Sequence, residues 1–325
     1  MGYVMESVKE MRQVLGDCIV DAMKKDSRVV LIDADLGKPN GTFSARAVFP
    51  GRCFDVGVAE QNMAAVAAGM AAYGQVPIIN TFASFATRRI CDQVAVSICY
   101  AGRNVKIIGT DPGIAAELNG GTHMAVEDIG VMRSIPNILI FEPCDTVELG
   151  KGFAAAMEYD GPVYMRMYRK KVEELHDESY VFGLLKADVL KEGKDVTLVC
   201  SGIMVAEAVR AGLMLEEAGV EAEIINIHTV KPVDEAALAT SARKTGAMVT
   251  CENHNVLGGL RAAVAEVVTR RCPVPVIPVG IQNVNGEVGV LPYLLKRFQL
   301  TASDIMQAAM VAMEMKNDRA CHCKN

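Results

Sequence analysis

The chain has 325 residues, 51% apolar and 22% charged, a balance that excludes a disordered tail or a coiled coil and leaves room for two buried cores. A formal net charge of −6, no Trp and only 5% aromatic residues argue against nucleic acid as a partner, by bulk charge or by base stacking. No apolar run reaches the roughly 20 residues of a bilayer crossing, so no membrane partner is expected.

Taken in chain order, Met5 to Lys24 has helical spacing and Val29-Val30-Leu31-Ile32 is a short strand. Glu60 to Tyr73 is an Ala- and Met-rich helix closed by Gly74. Val76 to Phe82 is a strand, followed by a helix through Cys99. The strand Val105–Ile108 leads into a Gly-rich loop, Gly109 to Thr122. After a further helix come the strand Ile138–Phe141, the helix Asp145–Tyr159 and the strand Val163–Tyr168. Lys170 to Gly183 is charged and aperiodic, the pattern of a linker. A second series has strands at Val196–Cys200, Ala222–Ile227, Ala247–Cys251 and Val274–Gly280. Its last helix starts at Thr301, with Asp304 completing a capping-box pattern. Continuous apolar strands alternating with helices predict an α/β fold of two doubly wound domains with mostly parallel sheets. The expected division is 1–170, a linker at 171–183, and 184–325.

The N-terminus, Met1-Gly2-Tyr3-Val4-Met5-Glu6-Ser7, reads as neither a signal peptide nor a myristoylation site, since position 6 is Glu. The ten cysteines are scattered. Cys18, Cys91, Cys99, Cys200 and Cys251 lie in apolar contexts and read as reduced core thiols, which implies a reducing compartment, the cytoplasm. Cys321-His322-Cys323 lacks a second ligand pair, and no metal site is expected in this chain.

There is no G-x-G-x-x-G after the first strand, no Walker lysine loop and no G-x-S-x-G elbow. Three other segments can carry chemistry. Asp55-Val56-Gly57-Val58-Ala59-Glu60-Gln61-Asn62-Met63 puts a carboxylate at the start of an apolar helix. Glu60 there is either a cap and dipole partner or an acid held among apolar neighbours to share a proton with a bound ring. Asn80-Thr81-Phe82-Ala83-Ser84-Phe85-Ala86 places two Phe at the carboxyl end of a strand, as core or as a platform for a flat ligand. Asn119-Gly120-Gly121-Thr122-His123 lets backbone approach a ligand, with His123 solvated or catalytic.

The order of these segments resembles the pyrimidine-binding domain of transketolases. Asp35 in Asp33-Ala34-Asp35-Leu36 comes first and Arg133-Ser134-Ile135-Pro136-Asn137 last. Cys251-Glu252-Asn253-His254-Asn255, Gly258-Gly259-Leu260 and Gly286-Glu287-Val288-Gly289 resemble the transketolase C-terminal domain, so the likeness covers about residues 5–312.

The resemblance implies thiamine diphosphate as cofactor, with Glu60 activating its pyrimidine among Val56, Val58, Met63 and Ala64. Phe85 stacks on the ring with Phe82 beside it, Asp35 lies near the cofactor at a dimer interface, and His123 contacts the donor sugar. Arg12 and Arg169 match the family's phosphate-binding arginines, with Arg166 an alternative to Arg169 and an ordinary surface role open for both. Full-length transketolases carry an earlier domain that holds Mg²⁺ and the diphosphate. This chain therefore resembles the C-terminal subunit of a split transketolase, paired with an N-terminal subunit in an α2β2 assembly. Such an enzyme moves a two-carbon ketol unit from a ketose to an aldose, either of which can be a phosphate. The alternatives are a deoxyxylulose-phosphate synthase-like chain, a 2-oxo acid dehydrogenase β-type subunit and a non-catalytic interaction subunit.

Three positions depart from the family pattern: Asn119 replaces an Asp that bonds donor hydroxyls, Asp111 a phosphate-binding His, and Arg88 a Tyr. They leave open whether the substrate is phosphorylated.

Overall fold

The runs Val29–Asp33, Lys106–Thr110 and Val163–Met167 are buried at every residue, as strands covered on both faces must be. In the computed structural model, which describes residues 5–322, they belong to a seven-stranded sheet. Its order is Thr229–Lys231, Leu139–Phe141, Val163–Met167, Lys106–Thr110, Val76–Phe82, Val29–Asp33, Cys53–Asp55. All neighbours are parallel except the outermost pair, in which Thr229–Lys231 runs antiparallel to Leu139–Phe141. A second sheet has the order Val276–Ile281, Met248–Asn255, Val196–Cys200, Ala222–Asn226, Asp188–Lys191, and only its last strand is antiparallel. Two α/β units with mostly parallel sheets are the architecture expected from the sequence.

Alternation along the strands splits each core into two layers. Ile79 faces Ile32, Met63 and Ile107, while its neighbour Ile78 faces Met11, Leu15 and Phe141. In the second unit Leu198 and Val199 divide in the same way. Each such fully buried side chain contributes about 1.5–3 kcal/mol relative to exposure.

Several elements differ from the sequence reading. The first helix is Met11–Lys25, because Met5–Glu6 is extended and pairs antiparallel with Glu173–Glu174. That pairing ties part of the charged 170–183 stretch to the start of the chain. The helix expected through Cys99 is broken into Ala83–Thr87 and a wide, π-type segment, Gln93–Tyr100, which turns Val94, Ile98 and Cys99 inward together. The Gly109–Thr122 loop contains a 3₁₀ segment, Gly113–Asn119. The last helix, Ala302–His322, opens as expected: the Thr301 amide donates to Asp304 at 2.9 Å and its hydroxyl at 2.5 Å. Met1-Gly2 and the Cys321-His322-Cys323 motif lie outside the residues whose side chains are described.

Candidate active site

Open α/β sheets bind ligands beyond the carboxyl ends of their strands, where the order of connection reverses. In the first unit those ends carry Asp33, Phe82 and Thr110. A buried polar brace joins them. Asn80 Nδ2 and Thr42 Oγ1 donate to Asp33 at 2.7 and 2.9 Å, and Thr110 Oγ1 donates to Asn40 Oδ1 at 3.0 Å. Burial pushes the Asp33 carboxyl up to about 6 against those donors.

Above the brace sits an aromatic cluster. Phe82 ends its strand in extended conformation and the chain turns at once into Ala83–Thr87, which brings Phe85 to 6.1 Å from Phe82, centroid to centroid. His123 meets both rings edge-on, at 5.3 Å from Phe85 and 6.0 Å from Phe82. Its Nδ1 lies 2.9 Å from Thr122 Oγ1, and Arg88 donates to the Thr122 carbonyl at 3.0 Å and pairs with Glu127 at 2.8 Å. Gly121 lies so close to the Gly286 backbone that a Cβ would collide with its carbonyl, so the second unit buttresses the His123 loop. Asn119 is exposed at the end of the 3₁₀ segment.

Glu60 is the first residue of the helix Glu60–Ala72 and only 3% exposed, where the helix N-terminus favours a negative charge. Gly57, at φ 72°, turns the chain into that helix, and its amide donates to Asp55 Oδ1 at 2.9 Å. The Asp35 amide donates to the same oxygen at 3.0 Å, so the Asp35 and Glu60 loops are tied together, with Asp35 itself exposed. A cavity of about 390 Å³ opens on Glu60, lined by Val58, Ala59, Gln61, Asn62 and Arg89. Met63 and Ala64 are fully buried behind it, but Val58, expected to cover the carboxyl, is 72% exposed at the rim because the loop carries it outward.

Arg89 is the residue the sequence reading missed. Its Nη1 donates to Glu60 Oε1 at 2.7 Å, and its guanidinium lies 4.1 Å from the Phe85 centroid. The only sequence signal is its place four residues after Phe85. The thiamine ring implied by the resemblance fits this space. A flat, N–H-bearing cation already rests on Phe85 while donating to the buried acid, the two contacts that an aminopyrimidine protonated at its ring nitrogen would make.

The two candidate anion-binding arginines meet along the backbone, the Arg12 amide donating to the Arg169 carbonyl at 3.0 Å. Both side chains already have carboxylates. Arg12 pairs with Glu10 at 2.6 Å and donates to the Pro39 carbonyl at 3.1 Å. Arg169 pairs with Asp111 at 2.6 Å and lies 5.1 Å from the Phe82 ring. Burial pushes Asp111 up to about 7, with Arg169 opposing the shift. Arg166, the alternative, is not available to a substrate. It is fully buried between Asp128, at 2.8 Å, and Glu142, and donates to the Asn253 carbonyl at 3.0 Å. Tyr164 completes that network by donating to Asp128 at 2.7 Å.

The Cys251–Asn255 motif serves the same junction. Asn253 bonds the Ile114 amide at 2.9 Å and the Pro112 carbonyl at 2.8 Å, and His254 Nε2 accepts from the Gly130 amide at 3.2 Å.

Among the described residues Cys144, Asp145 and His176 lie close enough to hold an ion. Both ring nitrogens of His176 are already engaged, by Asp145 at 2.7 Å and Asp188 at 2.9 Å. Burial lowers its affinity for a proton, but the two carboxylates outweigh that and hold it up to about 10. No helix among the described residues is long and apolar enough to cross a membrane.

Residues 7–174 match the family model of the transketolase pyrimidine-binding domain and residues 185–305 that of the transketolase C-terminal domain. The chain is 48% identical over 309 residues to the 6-deoxy-6-sulfo-D-fructose transketolase subunit SqwH of Clostridium sp. (strain MSTE9), covering 95% of this chain and 96% of that protein. It is 36% identical over 309 residues to a putative transketolase C-terminal section of Methanocaldococcus jannaschii, with 94% and 97% covered. A solved structure described as a split gene transketolase, inactive β4 tetramer, matches with a TM-score of 0.88 and 41% identity, over 95% of this chain and 99% of that one. Enzymes of this family depend on thiamine diphosphate. The chain belongs to the transketolase family, as a C-terminal subunit of the split type.

Proposed function

We propose that this subunit, with an N-terminal partner, transfers a two-carbon ketol unit from an anionic ketose to an aldose. The observation that carries the reading is the buried Glu60 carboxyl joined through Arg89 to the face of Phe85, with His123 packed against the same aromatic pair. Thiamine diphosphate supplies, when bound, the nucleophilic carbon that attacks the ketose carbonyl. Glu60 holds and returns a proton at a pyrimidine nitrogen. Phe85 and Phe82 fix the ring, and Asp35 belongs to the loop beside it. His123 donates to the donor's carbonyl and hydroxyl oxygens, and Asn119 contributes an uncharged amide to the same hydroxyls. Mg²⁺ and the diphosphate are held mainly by the N-terminal subunit, in an α2β2 assembly in the cytoplasm. The free thiols Cys53, Cys99, Cys144, Cys200 and Cys251, all buried, fit a reducing compartment. The pyrimidine-binding unit spans 1–170, the connecting segment 171–183 and the C-terminal unit 184–325.

Arg12 and Arg169 receive the anionic head of the sugar. Each already faces a carboxylate, so the excess positive charge at the rim is small. That suits a monoanion better than a phosphate dianion, and a 6-sulfonated ketose, named for the SqwH relative, is the first donor to try.

The test is to mix the chain with its N-terminal partner, Mg²⁺ and thiamine diphosphate and assay ketol transfer from 6-deoxy-6-sulfofructose and from fructose 6-phosphate. Full activity of Glu60→Ala would reject the role of Glu60. Decarboxylation of pyruvate in place of ketol transfer would move the chain to the synthase or dehydrogenase alternatives.

A further inference from the structure

The group that lies on Phe85 and donates to Glu60 belongs to the chain itself. Phe82 and His123 make the tilted and edge contacts of Phe85, and the position over its face is taken by Arg89. We propose that Arg89 is a built-in stand-in for the cofactor's pyrimidine, a positioning residue that keeps the Glu60 carboxyl paired until the ring arrives and then swings out.

The physical reason lies in the unequal exposure of the two partners. Glu60 is buried at 3% exposure, and a buried carboxylate without a partner is strongly destabilising. A guanidinium satisfies it with attributes that the ring offers once its pyrimidine nitrogen is protonated: planarity, a donating N–H and affinity for an aromatic face. Arg89 is 43% exposed, so its release into water costs little. The ring and the guanidinium compete for one position. Whatever the Arg89–Glu60 pair contributes to the cofactor-free protein is therefore subtracted from the affinity for thiamine diphosphate.

This inference rests on the thiamine reading of the site and adds to it a residue with an effect of definite sign. The test titrates thiamine diphosphate, with Mg²⁺, into the reconstituted two-subunit complex by calorimetry, for wild type, Arg89→Gln and Arg89→Lys. Arg89→Gln should bind about two- to fivefold more tightly, the range of an ion pair with one partner half in water. The melting temperature of its cofactor-free complex should fall. Arg89→Lys, which keeps the charge but loses the flat stack, should lie between. Opposite movement of the two readouts is not expected of an ordinary surface ion pair. Equal or weaker cofactor binding by Arg89→Gln, with wild type binding normally, overturns this inference alone. No binding by wild type overturns the functional reading, and this inference with it.

Discussion

Two carboxylate–arginine sites of the first unit, Asp128 and Glu142 with Arg166 and Glu60 with Arg89, are built for opposite purposes. Around Arg166 everything is closed: Asp128, Glu142, Tyr164, Ser201 and the Asn253 carbonyl are all buried, and each donor has a fixed acceptor. Burial raises Glu142, and the guanidinium beside it pulls it back. Glu60 is equally buried, but its partner Arg89 stands half in water on the rim of a cavity. Closure makes a lock between the two α/β units. An acid with an exchangeable partner makes a site.

The sharpest test of that contrast is Glu60→Gln. The amide keeps a bond to Arg89, so the fold should survive while ketol transfer falls by about 10²–10⁴-fold in the reconstituted complex. A loss of less than about tenfold would erase the distinction. Arg166→Met should behave in the opposite way. It strands Asp128 and Glu142, and urea unfolding should show a loss of about 3–5 kcal/mol. A variant near wild-type stability would mean the network is not closed.

His176 belongs with the locks, since Asp145 and Asp188 hold it from both sides. Its folded pKa, up to about 10, lies above the ordinary 6.5. Its stabilisation is therefore complete below about pH 6.5 and lost as pH rises through 10. His176→Gln should cost about 2 kcal/mol at neutral pH and flatten the alkaline decline of melting temperature.

Asp111 belongs with the open site, and its change should be the smallest. Its carboxyl, pushed up to about 7, is neutral below that pH and charged above it. Ionisation cancels the attraction of Arg169 for an anionic sugar, so KM should rise as pH passes through 7. Asp111→Asn should lower KM about two- to fivefold above pH 7 and remove that dependence.

The strands were legible because sheets covered on both faces need unbroken apolar runs, as in Val163–Met167 and Val196–Cys200. Glu60, Phe82, Phe85 and His123 stood out because their types and order resemble the family's pyrimidine-binding pattern. Arg89 did not, since a charged residue after a short helix reads as surface and its partner lies 29 positions away. Arg166 misled for the converse reason: its burial depends on partners from three other segments. Thr229–Lys231 is three residues long and exists as a strand only beside Leu139–Phe141. The helix expected through Cys99 failed because local spacing does not report a widened turn.

That three-residue strand has a practical consequence. It comes from the C-terminal half yet finishes the N-terminal sheet, and Lys231 fastens it by donating to the Arg133 carbonyl at 2.8 Å. A protease nicking the 171–183 stretch would thus leave two fragments still clasped and migrating as one particle. Producing the first half alone would bare a sticky border along Leu139–Phe141, ready to recruit foreign strands.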